Sequence, residues 1–265
     1  RVPGPGGRSL KHAQAQGARV EIVYSPLDAL IGRGNPNDTV VFLGIGFETT
    51  APTVAATLLT ARRRKIENFC VLSLHKLVPP ALGLLDDASC AVEAFLLPGH
   101  VSTILGLQPY GFLASEYHVP GVVGGFEPAD ILLALCLMAE QLRDKAPAVV
   151  NAYPRAVDDT GNPKARACWS SFSSPPTRSG AAWAASLKAA WPCGPNTRIS
   201  RMARLDLRLP EVASLPGCRC GDVLKGRIAP PACPLFGKKC TPATPGDLHG
   251  FHRGSCAAYF KYSEH

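Results

Sequence analysis

The chain has no run of about eighteen apolar residues, so it contains no segment of the kind that crosses a bilayer as a helix. Its first residues, Arg-Val-Pro-Gly-Pro-Gly-Gly, have neither the apolar core of a secretion signal nor a starting Met. They read as the middle of something longer, or as a processed end. With no export signal, the expected compartment is the reducing cytoplasm, where disulfides are disfavoured. Acidic residues are missing between Thr160 and Leu205, a stretch that holds seven Lys or Arg. Those seven account for all but +1 of the net charge of +8. The basicity is therefore local, which argues against a nucleic-acid-binding face spread over a folded domain. The paired Cys-x-x-Cys knuckles of a zinc ribbon are absent. So are a G-x-G-x-x-G fingerprint and a Walker lysine.

What is present suits one large α/β domain with a small second module. The 265 residues are 46 % hydrophobic and 18 % charged, enough apolar surface for a packed core. Strand patterns occur at Arg19–Tyr24, Thr39–Gly46, Asn68–Ser73, Val92–Leu97 and Val119–Gly124. Thr39–Gly46 is continuously apolar, the signature of a strand buried on both faces. Helical patterns lie between them. Ser25 is a candidate cap with Pro26 at the first position. Thr53–Lys65, Pro80–Asp86, Thr103–Tyr110 and Phe112–Tyr117 follow. Pro128–Lys145 places Ile131, Leu132, Leu135, Met138, Ala139 and Leu142 on one expected face. The alternation predicts an α/β fold, with a mostly parallel sheet and helices on both faces, over residues 1–150.

From 151 to 204 the pattern stops. Residues 166–203 carry all three tryptophans and sustain no period. Their bias towards Arg, Ser, Pro, Ala and Trp is what GC-rich DNA gives in a wrong reading frame, so a frameshifted segment is expected there; a disordered linker is the plain alternative. Leu205–Leu209 alternates like a strand. The module at 205–265 is rich in Cys, Gly and Pro and too short for a core of its own, so a bound metal centre would help to hold it.

That module holds Cys218, Cys220, Cys233, Cys240 and Cys256. Thiolates are soft ligands that suit iron–sulfur clusters or zinc, and spacing alone leaves both open. Cys70, Cys90 and Cys136 lie in apolar stretches and are expected to be small core residues. Three further segments follow strands directly, where open α/β sheets bind ligands. Gly44–Thr50 presents Glu48, Thr49 and Thr50, and a turn capped by Thr49 or Thr50 is its bland reading. Pro98–Ser102 presents His100 and Ser102. Gly124–Pro128 presents Glu127, which at a helix start also serves simply as a favourable anion. His75 follows a fourth strand. Glu48 and His100 as an acid–base pair would suit a small-molecule enzyme.

The segments RVPG, VYSPLDAL, GFETTAPT, HKLVPPAL, PGHVSTILG, GFEPADIL, NPKA, CRCGDVLKG, CPLFGKKCTP and CAAYFKY resemble HypD, the scaffold family of nickel–iron hydrogenase maturation. The resemblance runs from residue 1 to about 165 and from about 205 to 262. It implies a 4Fe–4S cluster held by Cys220, Cys233, Cys240 and Cys256, with Cys218 a fifth cysteine of unassigned role. It implies Glu48, Thr49, Thr50, His100 and Ser102 around a cleft near a transient iron bearing cyanide and carbon monoxide. It also implies a HypC-like small partner, HypE with HypF as cyanide donor, and the hydrogenase large subunit as recipient. Such a protein is a redox maturation scaffold more than a conventional enzyme. The family's first domain carries Cys-Gly-Gly-His and Cys-Pro-x-Cys segments that are not in this chain, so an N-terminally truncated and inactive copy is one expectation. His249 stands where the family has Cys, and one residue is missing between Cys240 and Cys256. A different class of function is a stand-alone iron–sulfur or zinc-binding interaction module.

Overall fold

The computed structural model describes residues 9–31, 38–73, 75–86, 88–170, 216–241 and 254–263. The expected strand at Leu205–Leu209, residues 171–203 of the anomalous segment, and His249 lie outside them. Two short helices, α1 (Leu10–Ala15) and α2 (Pro26–Ile31), come first. Ser25 caps α2 as its sequence predicts: its hydroxyl accepts the Asp28 N–H (3.3 Å), and the Ser25 N–H donates to Asp28 Oδ2 (3.0 Å).

The expected strand at Arg19–Tyr24 is not formed. Ile22 and Tyr24 are 82 % and 96 % exposed, so its alternation has no core to face. A period of two specifies a strand only where a sheet edge receives it.

β1 (Val40–Gly44) pairs in parallel with β2 (Phe69–Ser73), from Val40 opposite Phe69 to Gly44 opposite Ser73. α3 (Ala51–Arg63) makes the crossover and buries Ala51, Val54, Ala55, Leu58 and Ala61, one stripe at helical spacing. That stripe packs with Phe69, Val71 and Leu30. Val41 and Leu43 face away from it and are exposed, Leu43 by 53 %. This corrects the expectation that the β1 segment is buried on both faces. Among the described residues only its α3 side is covered.

After α4 (Val78–Ala81) and a 3₁₀ turn at Leu82–Asp86, a second sheet begins. β3 (Phe95–Pro98), β4 (Gly121–Gly124) and β5 (Val149–Asn151) are parallel, in that spatial order. The strands thus form two parallel sheets, where the sequence suggests one. In the second sheet helices do cover both faces. Val123 points into a core with Leu97, Val101, Leu105, Tyr110 and Leu113, formed by α5 (Gly99–Leu105), the 3₁₀ turn Gln108–Tyr110 and α6 (Phe112–Ser115). Val122 points the other way, against Ala134 and Ala152 under α7 (Pro128–Asp144).

α7 forms where its periodicity predicts, and Met138 of the expected face packs inward. The rest of the inward face differs: Asp130 and Ala134 are buried while Ile131, Leu132 and Leu135 are exposed. The helix lies so close to β4 that a Cβ on Gly124 would stand 3.4 Å from Ala134 Cβ. Leucine does not fit there, so small size overrides hydrophobicity. Cys136 is exposed on the same helix, against its expected core role, and Cys70 and Cys90 are half-buried.

α8 (Pro163–Ser170) continues beyond β5, so the first residues of the anomalous segment are helical. The Cys-rich module contains α9 (Cys220–Leu224), a 3₁₀ turn at Pro230–Ala232 and α10 (Ser255–Tyr262). It is tied to the approach to β3, where the Ala91 N–H donates to Lys225 O (2.8 Å). No helix among the described residues is long and apolar enough to cross a membrane.

Candidate functional site

Two places gather chemistry. In the Cys-rich module the segment from Cys233 to Cys240 is a tight loop. The Phe236 N–H donates to Cys233 O (3.0 Å), the Cys240 N–H to Leu235 O (2.9 Å) and the Gly237 N–H to Cys240 O (3.0 Å). Gly237 has φ +68°, a left-handed conformation that glycine adopts without strain. Cys233, Cys240 and Cys256 are buried, and none of the described cysteines is in a disulfide. Val223, Ile228, Leu235, Phe236 and Phe260 pack around Cys240 and Cys256. Cys256 lies in the first turn of α10.

The Cys256 thiol is pushed above its usual pKa, first by burial and then by the neighbouring Cys240, Cys233 and Cys218. Cys218, unassigned from sequence, is half-buried just before α9. Cys220 is half-buried at the start of α9. Among the described residues no three His, Cys, Asp or Glu side chains converge closely enough for a single metal ion. What the structure shows is soft donors beside an apolar cluster, with Cys240 and Cys256 inside it. Ionising them together costs repulsion and desolvation, which a bound cationic centre would offset. Such a donor set fits an iron–sulfur cluster.

The second place lies at the strand ends. Glu48 follows β1 and is fully buried. Its Oε1 accepts the Val78 N–H at the start of α4 (2.6 Å), and the Lys76 N–H donates to Gly46 O (2.9 Å). Burial pushes the Glu48 carboxyl up to about 7, against the opposing bonds from its own N–H and that of Val78. His75 is also fully buried, with Nδ1 3.0 Å from Ser73 Oγ, and burial lowers it to about 4. Ser102, inside α5, donates its hydroxyl to Pro98 O (3.0 Å).

Thr49, Thr50 and His100 face solvent. Thr50 precedes α3, but its hydroxyl donates back to Phe47 O (3.1 Å) and makes no cap bond, which corrects the capping reading. The His100 ring stacks on Phe126 at 4.1 Å. The five sequence candidates thus divide into two buried groups and three at the surface. Sequence reading missed Tyr110, whose hydroxyl is buried with them. Its polar end carried no local signal, because its burial, which pushes the hydroxyl up to about 12, is set by packing with residues distant in the chain.

Glu127 is the N-cap of α7 in a reciprocal capping box with Asp130. Its bland reading as a helix-start anion holds. Asp130 also forms a two-pronged pair with Arg155 (2.5 and 2.6 Å). The bonds from Arg155 hold the Asp130 carboxyl below the usual carboxylate range. Its contribution to stability is therefore present above the unfolded value, near 3.9, and lost as pH falls through the folded one. Asp130→Asn is expected to lower the melting temperature at neutral pH, with the gap to the parent narrowing as the pH falls below the ordinary carboxylate range. Melts followed by circular dichroism check this; an undiminished gap in acid would contradict it.

Comparison with known proteins completes the picture. The model of the family described as HypD, "Hydrogenase formation hypA family", matches residues 1–263. The chain is 39 % identical over 272 residues to the "Hydrogenase maturation factor HypD" of Escherichia coli strain K12, covering 100 % of this chain and 72 % of that protein. It is 39 % identical over 274 residues to the protein of the same name from Rhodobacter capsulatus, covering 99 % and 72 %. The "Hydrogenase expression/formation protein HupD" of Azotobacter chroococcum is 33 % identical over 282 residues, covering 99 % and 72 %.

Proposed function

This chain belongs to the HypD family, and on that premise we propose that it is a maturation scaffold for nickel–iron hydrogenase. The observation that carries the reading is that Cys233, Cys240 and Cys256 are buried and unbridged in the segment the family match includes. Cys233, Cys240 and Cys256 would hold a 4Fe–4S cluster, with Cys218 or Cys220 as the fourth ligand. When bound, the cluster supplies one-electron redox chemistry. The chain's own part is to bury the sulfurs, exclude water with Phe236 and Phe260, and anchor the module on the approach to β3.

The substrate would be an iron that acquires cyanide and carbon monoxide. Thr49, Thr50 and His100 are the exposed groups available to line its approach. The partners would be a HypC-like small protein and HypE with HypF, acting in the cytoplasm. Anaerobic co-expression with a HypC-like partner tests this. A co-eluting pair with infrared bands of iron-bound cyanide and carbon monoxide is the expected result. A chain that elutes alone, with no such bands, would exclude the scaffold role and leave a stand-alone metal-binding module.

A further inference from the structure

Phe126 is 56 % exposed, yet its ring is held on two sides. On one side it stacks on His100, with ring centres 4.1 Å apart and planes 32° from parallel. On the other it meets the Tyr153 ring edge-on, at 6.5 Å and 83°. Edge-to-face and near-parallel contacts are the arrangements that aromatic rings prefer. The three rings come from three different strand ends. His100 is in the first turn of α5 after β3, Phe126 in the loop after β4 and Tyr153 in the loop after β5.

Tyr153 sets the spacing of the other two. Its ring lies between Gly99 and Gly125, the chain neighbours of His100 and Phe126. A Cβ on Gly99 would stand 3.0 Å from Tyr153 Cδ1, and one on Gly125 would stand 2.7 Å from Tyr153 Cδ2. Both loops are therefore bare where they close on the ring. Tyr153 is itself fixed. Its N–H donates to Asn151 Oδ1 (2.9 Å), and the Arg155 guanidinium lies over its ring at 4.6 Å. That guanidinium is pinned by its two bonds to Asp130 and by Glu127 Oε2 at 3.3 Å. Glu127 and Asp130 close the start of α7, directly after Phe126.

We propose that Phe126 and Tyr153 are positioning residues for His100. Tyr153 sets the distance between the two loops, and Phe126 covers one face of the imidazole and so presents it in one orientation. The proposal rests on the reading above, in which His100 lines the approach of the iron. An exposed side chain that is ordered only when its ligand arrives loses rotamer freedom at that moment. The stack makes that selection in the free protein, so the ring is set beforehand. Phe126 and Tyr153 act through His100.

Carbon-resolved magnetic resonance of the histidine ring protons in the whole chain, at about pH 8.5 where an ordinary imidazole is neutral, reads the stack directly. A stacked phenyl ring shields its neighbour's protons, so the His100 signal is expected upfield of that of exposed His12. His100→Gln identifies it among the seven histidines. Phe126→Leu should move it to the His12 position, and Phe126→Tyr should keep it. Tyr153→Leu should move it part of the way with Phe126 intact. A merely structural Tyr153 would lower the melting temperature and leave the signal in place. In the co-expressed complex the bands of iron-bound cyanide should be lost in Phe126→Leu and kept in Phe126→Tyr. The proposal is overturned by a parent His100 signal that coincides with that of His12, by an unmoved signal in Phe126→Leu or Tyr153→Leu, or by bands of full strength in Phe126→Leu. The resonance measurement needs no iron, cyanide or partner, so it decides this inference separately from the scaffold reading. Should Tyr153→Leu fail to fold, Arg155→Gln, at a half-exposed position, takes its place with the same expected shift.

Discussion

Cys240→Ala is expected to remove the bound iron and release the Cys-rich module from its fold, while both sheets persist. Among the module's described residues Val223, Pro230, Cys233, Cys240 and Cys256 are buried, so three of these five buried residues are candidate ligands. Ordering each residue costs about 1–2 kcal/mol of backbone entropy, which so small a core does not offset without a metal centre. Cys240 is also the hinge of the loop, since its N–H and carbonyl close it onto Leu235 and Gly237. Alanine preserves those backbone bonds and deletes only the sulfur. The variant thus separates loss of a ligand from loss of the loop. Limited proteolysis should cut within residues 216–241 of the variant under conditions that leave the parent whole. Iron content should fall from about four per chain to well below one. Cys136→Ala, exposed on α7, is the control and should change neither.

Gly106→Ala is expected to cost about 3 kcal/mol and to loosen the second sheet. Gly106 ends α5 with φ +73°, where a side chain costs about 1–2 kcal/mol. An added Cβ would also stand 2.3 Å from Asp159 O and 2.6 Å from Gly161 N. Those atoms are backbone and cannot swing aside. Gly161, at φ +70°, faces the crossing from the other side, with Leu107 N–H donating to Asp159 O (2.9 Å) and Asn162 N–H to Ile104 O (3.1 Å). Typical domains hold 5–15 kcal/mol in all, so the loss is large. Gly111→Ala is the contrast. Its φ of −52° suits alanine, and its Cβ would meet only Gln108 O at 3.4 Å. Urea unfolding curves should show a large shift for the first and almost none for the second.

These variants mark what was legible in the sequence. β1, β2 and β4 were, because short apolar runs between turn residues leave little else to form. α3 was, because one stripe of small and branched residues sets both its face and its length. α7 was legible as a helix but not in its orientation: leucines surround it, and the deciding residue is Ala134, chosen by closeness to Gly124. Arg19–Tyr24 shows the converse, a correct local pattern with no sheet to join. The division into two sheets lies in pairing across the chain, which periodicity does not carry.

The candidate site followed the same logic. The cysteines were legible as soft donors from residue type. That Cys233, Cys240 and Cys256 are buried while Cys218 and Cys220 are half-buried is set by folding, because spacing does not say which side chains turn inward. Glu48 and Ser102 were visible as polar groups after strands. Their burial depends on how the chain packs around them.

The central claim is that the C-terminal cysteines hold an iron–sulfur cluster. Anaerobic purification of the chain followed by iron, acid-labile sulfide and zinc analysis tests it most directly. The account predicts about four iron and four sulfide per chain with little zinc; a chain carrying zinc and no iron would contradict it.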